Sequence, residues 1–230
     1  MRRLKLILCG TLSIPLLCSL CNLQAQVLVH EEPLHHPVFQ NNQVRILNVL
    51  LPPGDTTQYH IHHTPSVFIF FTATGTGTQL KGATAATSKP PAGSIIYENL
   101  APPHIRVHRV WNTDKDTLHV MDVEILSNDT GFVQKPLTLP GLRLTIDTNR
   151  VRVYQLALAG RDGFILSNES RSFVLVSLNT APVQTEQDGK TQNQLLQPGS
   201  FFEIKSRYSF SLKNTGGTAA QFAFLEMPRQ

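Results

Sequence analysis

The sequence predicts an all-β protein of sandwich or barrel type, and three observations carry the prediction. Short runs rich in Val, Ile, Phe and Thr recur along the chain, punctuated by Gly, Pro, Asn and Asp. Apolar residues at helical spacing are hard to find between them. The two halves of the chain can also be laid over each other without large gaps, the sign of one β unit used twice.

The first residues stand apart from this pattern. MRRLKLILCGTLSIPLLCSLCNLQAQ has a basic start, an apolar middle and a short polar end, the layout of a secretory signal peptide over residues 1–25, with cleavage expected after Ala25. A periplasmic or secreted protein is therefore expected. Cys9, Cys18 and Cys21 each follow a leucine, whereas lipoprotein processing favours a small residue there, so a lipid anchor is not expected. All three cysteines fall in the leader, which leaves the exported chain no disulfide, thiol nucleophile or thiolate ligand. Any metal must be held by His, Asp, Glu or water. Loss of the three cations Arg2, Arg3 and Lys5 takes the formal net charge from +4 to +1. No cluster of lysine and arginine interleaved with aromatic residues remains to suggest a nucleic-acid partner. No second stretch approaches the roughly 20 apolar residues that span a bilayer.

Candidate strands in the first half are QVRILNVLL, SVFIFFTA, GSIIYENL, IRVHRVWN and TLHVMDVEIL. Those in the second are LRLTI, VRVYQLAL, SFVLVSL, GSFFEI, YSFSLKN and AQFAFLEM. VRILNVLLPPG overlays VRVYQLALAG, and Asn112 overlays Asn214. The spacing from Gly54 to Ser66 equals that from Gly160 to Ser172. The segment LSNDTGFVQKPLTLPGLRL, with Pro136 and Pro140, links the copies and divides the exported chain into residues 26–140 and 141–230. TEQDGKTQNQLLQPG is expected to be a long exposed loop. VHEEPLHHP has a metal-like composition, but its prolines and lack of periodicity suggest an extended arm along the barrel edge.

The histidines of QYHIHHTPSVFIFF carry the chemistry. In an extended chain His60 and His62 share a face and His63 points to the other. Two imidazoles at that spacing can reach one ion, and a third ligand is usually brought in from a different strand. PPHIRVHRVWN supplies His108. Residues 54–75, GDTTQYHIHHTPSVFIFFTATG, resemble the first cupin motif, and residues 103–112, PHIRVHRVWN, resemble the second. With the internal repeat, the resemblance implies a bicupin of two double-stranded β-helix (jelly-roll) barrels. It implies one divalent metal ion on His60, His62 and His108 inside the first barrel, with Gly54 and Asn112 at turns and strand ends. Ser66 or Val67 stands where the first motif has glutamate, and Ile105 where the second has glycine. In the second copy Leu166, Asn168 and Phe210 replace the histidines, so that copy is expected to be a structural partner.

Neutral three-histidine sites serve some cupin-like dioxygenases, so the resemblance implies a metal-dependent enzyme, of dioxygenase or isomerase type, on a small organic substrate. Imidazole ligands admit Fe, Mn, Ni, Cu or Zn. The alternatives are a non-catalytic module binding a small molecule or metal, and a degenerate structural cupin. His104 and Arg106 share the parity of His108. An unbroken strand would aim both inward as catalytic residues, Arg106 gripping a substrate carboxylate and His104 moving a proton. A strand beginning only after Pro102 and Pro103 would leave them at a solvated rim. Ser66 has the register to orient water or substrate, and His63 is expected to be exposed or packed between sheets, with direct ligation the alternative. Asp122 and Glu124 share a face opposite Met121 and Val123. A solvent-facing pair is expected there, with ligation by Glu124 the alternative. Asn128 and Asn168 open glycosylation sequons. A homodimer through an edge strand is among the expected partners, with no strand singled out.

Overall fold

The computed structural model describes residues 26–167, 170–207 and 209–228. The expected leader and Asn168 lie outside the described residues. The first half runs β1 (Val27–Leu28), a 3-10 turn (Val29–Glu31), β2 (His35–Gln40), β3 (Val44–Leu51), β4 (His60–His62), β5 (Ser66–Phe70), β6 (Thr76–Leu80), β7 (Ala86–Ser88), β8 (Ile95–Glu98), β9 (Arg106–Asn112) and β10 (Leu118–Ile125). The second runs β11 (Leu142–Asp147), β12 (Arg152–Leu158), β13 (Gly163–Leu166), β14 (Ser172–Ser177), β15 (Ala181–Gln187), β16 (Lys190–Leu196), β17 (Phe201–Ile204), β18 (Phe210–Asn214) and β19 (Ala220–Met227). All eleven candidate strands fall on one of these elements.

Each half folds as two sheets. The first has β1-β4-β9-β6-β7 facing β2-β3-β10-β5-β8, and the second has β11-β12-β19-β14-β17 facing β13-β18-β15-β16. Each copy is thus a two-sheet jelly roll, not a barrel closed by a continuous ladder of hydrogen bonds. The two copies pack sheet against sheet. Ile46, Val67, Val123 and Ile125 of the first meet Val153, Val174, Ala223 and Leu225 of the second in one apolar core. β10 is therefore buried on both faces. Its Met121 and Val123 point to the other copy, which turns Asp122 and Glu124 into the first copy's interior. The expected solvent-facing pair is thereby corrected: their relative exposures are 1% and 0%.

The repeat keeps its polar framework. Arg45 lies across from Glu124 and Arg152 across from Glu226, each pair in direct ionic contact at 2.9 and 3.4 Å. Asn112 Nδ2 donates to the carbonyls of Leu51 and Asp116, and Asn214 Nδ2 to those of Leu158 and Thr218. One expectation fails in the second copy. TEQDGKTQNQLLQPG is largely a hairpin of β15 and β16, closed by Asp188 and Gly189 at φ 55° and 70°. A two-residue Asp-Gly loop with both φ positive matches the twist of the strands it joins.

Candidate metal centre

Pairing of β4 with β9 sets His60 opposite His108 and His62 opposite Arg106. The ring centroids of His60, His62 and His108 lie 4.6–5.0 Å apart, and one nitrogen from each falls within 4.8 Å of the others. Backbone and hydroxyl partners define which nitrogens face inward. His60 Nδ1 donates to the Gln58 carbonyl at 3.0 Å, which leaves Nε2 as a bare acceptor. Thr78 Oγ1 donates to the Arg109 carbonyl, so it accepts from His108 Nδ1 at 3.3 Å and frees His108 Nε2. His62 Nε2 sits 3.1 Å from His108 Nε2, a spacing suited to two ligands of one ion. On its far side, His62 Nδ1 faces the Asp122 carboxylate at 3.5 Å.

The electrostatics favour neutral imidazoles. Burial, then the neighbouring His35, pushes His60 down to about 4. Burial, then His60 and Arg106, pushes His108 down to about 2. Burial and the other two rings hold His62 well below its ordinary value. Asp122 moves the opposite way, raised well above the carboxylate range by burial and then by Glu124. His60 Nε2, His62 Nδ1 and both Asp122 oxygens have no hydrogen-bond partner although buried. Such atoms are costly. Three inward-facing lone pairs on neutral rings fit a divalent cation.

The arm VHEEPLHHP, read from sequence as an edge strap, belongs to this site. Glu32 and His35 are buried, with His35 Nδ1 against Glu32 Oε2 at 2.7 Å. The His35 ring packs 4.7 Å from that of His60. Glu32 also accepts the amides of Leu34 and Gln58. Burial opposes ionisation of Glu32, but the His35 ring and these amides hold its carboxyl below the usual range.

A cavity of about 170 Å³ opens beside the trio. The register grades its walls: β10 presents Leu118 and Val120 at one end and Asp122 at the other, and β9 presents Val110, His108 and Arg106 in the same sense. Arg106 lines the cavity and is ion-paired to Glu98. His104 does not join it. β9 begins at Arg106, and His104 stands exposed in the preceding turn, as a strand starting after the prolines requires. Ser66 is fully buried across from Glu124, with its hydroxyl unpartnered. His63 follows β4 and lies outside the cavity lining. Glu124 is not near enough to the trio to ligate with it, because Arg45 and Thr64 hold its two oxygens at 2.9 Å.

No family model and no curated protein matches the sequence. Solved structures do match the fold. AerE from Microcystis aeruginosa superposes with a TM-score of 0.58 at 10% identity, covering 86% of this chain and 99% of its own. YhhW from Escherichia coli gives 0.57 at 11%, covering 86% and 90%. Salicylate 1,2-dioxygenase from Pseudoaminobacter salicylatoxidans, in adducts with gentisate, gives 0.58 at 14%, covering 83% and 70%. What these structures share with the chain is the fold, a two-sheet jelly roll of cupin type.

The second copy fills the space that the first leaves open. Leu166 pairs with Phe210 where His60 pairs with His108. Phe173 lies across from Glu226 as Ser66 does from Glu124, so the structural repeat is one residue out of step with the Gly54–Ser66 spacing. Phe224 takes the place of Asp122 and stacks on Phe173 with centroids 4.6 Å apart.

Proposed function

We propose that this chain is an exported metal-dependent enzyme, of dioxygenase or isomerase type, that acts on a small organic molecule and holds one divalent ion on His60, His62 and His108. The observation that carries the reading is the set of bonds behind the rings. Gln58 and Thr78 fix the tautomers of His60 and His108 so that unprotonated Nε2 atoms converge beside a cavity. Fe, Mn, Ni, Cu or Zn suits such a ligand set. Bound there, the ion would supply Lewis acidity and open coordination positions.

The chain's own residues do the rest. Val49, Leu51, Val110, Leu118 and Val120 exclude water from the cavity and take an apolar substrate body. Asp122 faces His62 from behind, and Arg106 offers a cation at the polar end. Room beside the trio favours turnover over a closed storage site. The salicylate 1,2-dioxygenase neighbour, solved with gentisate, supports a small-molecule substrate. The basic and apolar leader supports export to the periplasm or beyond.

Elemental analysis by mass spectrometry tests the site, on protein purified without a metal-binding tag and beside the His60→Ala/His62→Ala double variant. Near-stoichiometric metal that is lost in the variant is the expected result. Equal metal content in both would overturn the assignment.

A further inference from the structure

Two cavities meet at one ion pair. The inner one adjoins the histidine trio. The outer one is an open groove of about 710 Å³ lined by Lys81, His104 and Ile105, and Glu98 and Arg106 line both. Glu98 ends β8, the edge strand of one sheet, whereas Arg106 opens β9 in the facing sheet. Their ion pair thus spans the seam between the sheets. Their side chains are 30% and 28% exposed, while the Glu98 oxygen that meets Arg106 is itself buried. Among the described residues lining the inner cavity, Arg106 is the one cation of fixed charge.

We propose that the Glu98–Arg106 pair is the substrate portal, and that the substrate is a small monocarboxylate whose carboxylate takes Glu98's place on Arg106 as it enters. Replacing one carboxylate by another leaves the charge on Arg106 balanced, so the exchange leaves no buried guanidinium unpaired. The guanidinium fork accepts one carboxylate in place of another with two parallel hydrogen bonds. Glu98, once released, turns to the groove that Lys81 also lines. A second carboxylate on the ligand would find no second fixed cation inside, where Asp122 already waits. Cavity volume bounds the rest of the molecule: about 150 Å³ admits benzene, so a single ring or short branched chain fits against Val110, Leu118 and Val120.

The proposal rests on the metal-site reading only for its spectroscopic readout. Benzoate and its uncharged isostere benzamide are titrated into metal-free and Co(II)-loaded protein, followed by calorimetry and, in the loaded form, by the visible Co(II) spectrum. Arg106→Gln is expected to weaken benzoate on the order of 10- to 100-fold in both forms, and to leave benzamide binding and Co(II) uptake unchanged. Glu98→Gln is expected to tighten benzoate about twofold to fivefold by removing the competing carboxylate. Benzoate affinity unchanged in Arg106→Gln overturns the proposal. So does Glu98→Gln weakening benzoate and benzamide alike, which would make the pair a piece of wall, and so does wild-type protein that binds no benzoate in either form. Failure to take up Co(II) overturns the metal reading instead, and calorimetry on the metal-free protein still decides the portal. Should Arg106→Gln fail to fold, Arg106→Lys keeps the cation without the fork: weaker benzoate supports the exchange, and unchanged benzoate overturns it.

Discussion

Glu32 stands two hydrogen bonds from His60, a ligand of the proposed metal site, and its removal is expected to show in metal affinity. Its Oε2 takes His35 Nδ1 and the Leu34 amide, each at 2.7 Å, and its Oε1 takes the Gln58 amide at 3.2 Å. The Gln58 carbonyl in turn takes the Nδ1 proton of His60. Glu32→Ala leaves His35 Nδ1 unpaired at a buried position and frees the peptide that aims His60. Losing a partner behind a ligand typically costs about 10- to 100-fold in metal affinity, which is about 1.4–2.7 kcal/mol. Competition with a chromophoric chelator measures the change directly. Glu32→Gln, which keeps an acceptor for Gln58, should lose less than Glu32→Ala. Affinity within about threefold of wild type in Glu32→Ala, a shift too small for the loss of a ligand's support, would show that the arm only packs against the site.

Three further outcomes are expected. Phe210→Ala, at a side chain 1% exposed in the second copy's core, should cost about 3–5 kcal/mol in chemical unfolding, with metal content unchanged in the folded protein. Glu226→Ala should cost a similar 3–5 kcal/mol or so, because Tyr154 at 2.6 Å and the guanidinium groups of Arg152 and Arg171 all face its carboxylate. A variant as stable as wild type would make that cluster dispensable. Metal-free protein should also weaken in mild acid. His60 in the folded chain titrates at about 4 instead of 6.5, so between those values only the unfolded chain binds the proton. Stability present above pH 6.5 is lost as pH falls, by about 2 kcal/mol at pH 5 from His60 alone. Denaturation midpoints that do not move between pH 7 and 5 would mean that the ring is not buried as a neutral group.

What the sequence made legible was whatever repeats at period two or sits at a turn. β3, β5, β9, β10 and their partners in the second half are long apolar runs, and the parity of His60 and His62 follows from the pleat alone. Misreadings arose where tertiary packing changed the meaning of a face. Asp122 and Glu124 read as outward because Met121 and Val123 are plainly core, yet docking of the second copy supplies an interior on both sides. The prolines of VHEEPLHHP described its backbone well enough, but nothing local showed that Glu32 and His35 would be laid against His60. The Asp188-Gly189 signal was present in the sequence. It was masked by polar flanks, since β16 is mostly exposed and needs no apolar alternation.

The division of labour between the copies follows from the same comparison. Both keep the Arg–Glu pair and the asparagine latch, groups that fix how strands meet at their ends. They differ in what fills the interior. The second copy packs Phe173, Phe210, Phe222 and Phe224 into its core. The first devotes the matching volume to three rings with free nitrogens, an unpartnered carboxyl and a cavity, and among the described buried side chains its own interior apolar cluster is Val49, Leu51, Leu118 and Val120. Buried polar atoms without partners destabilise. The sheet-to-sheet core between the copies offsets that, because it stabilises β10 and β5 from the face opposite the site. A second copy without histidines is therefore what allows the first to keep an interior poorly packed enough to admit a ligand.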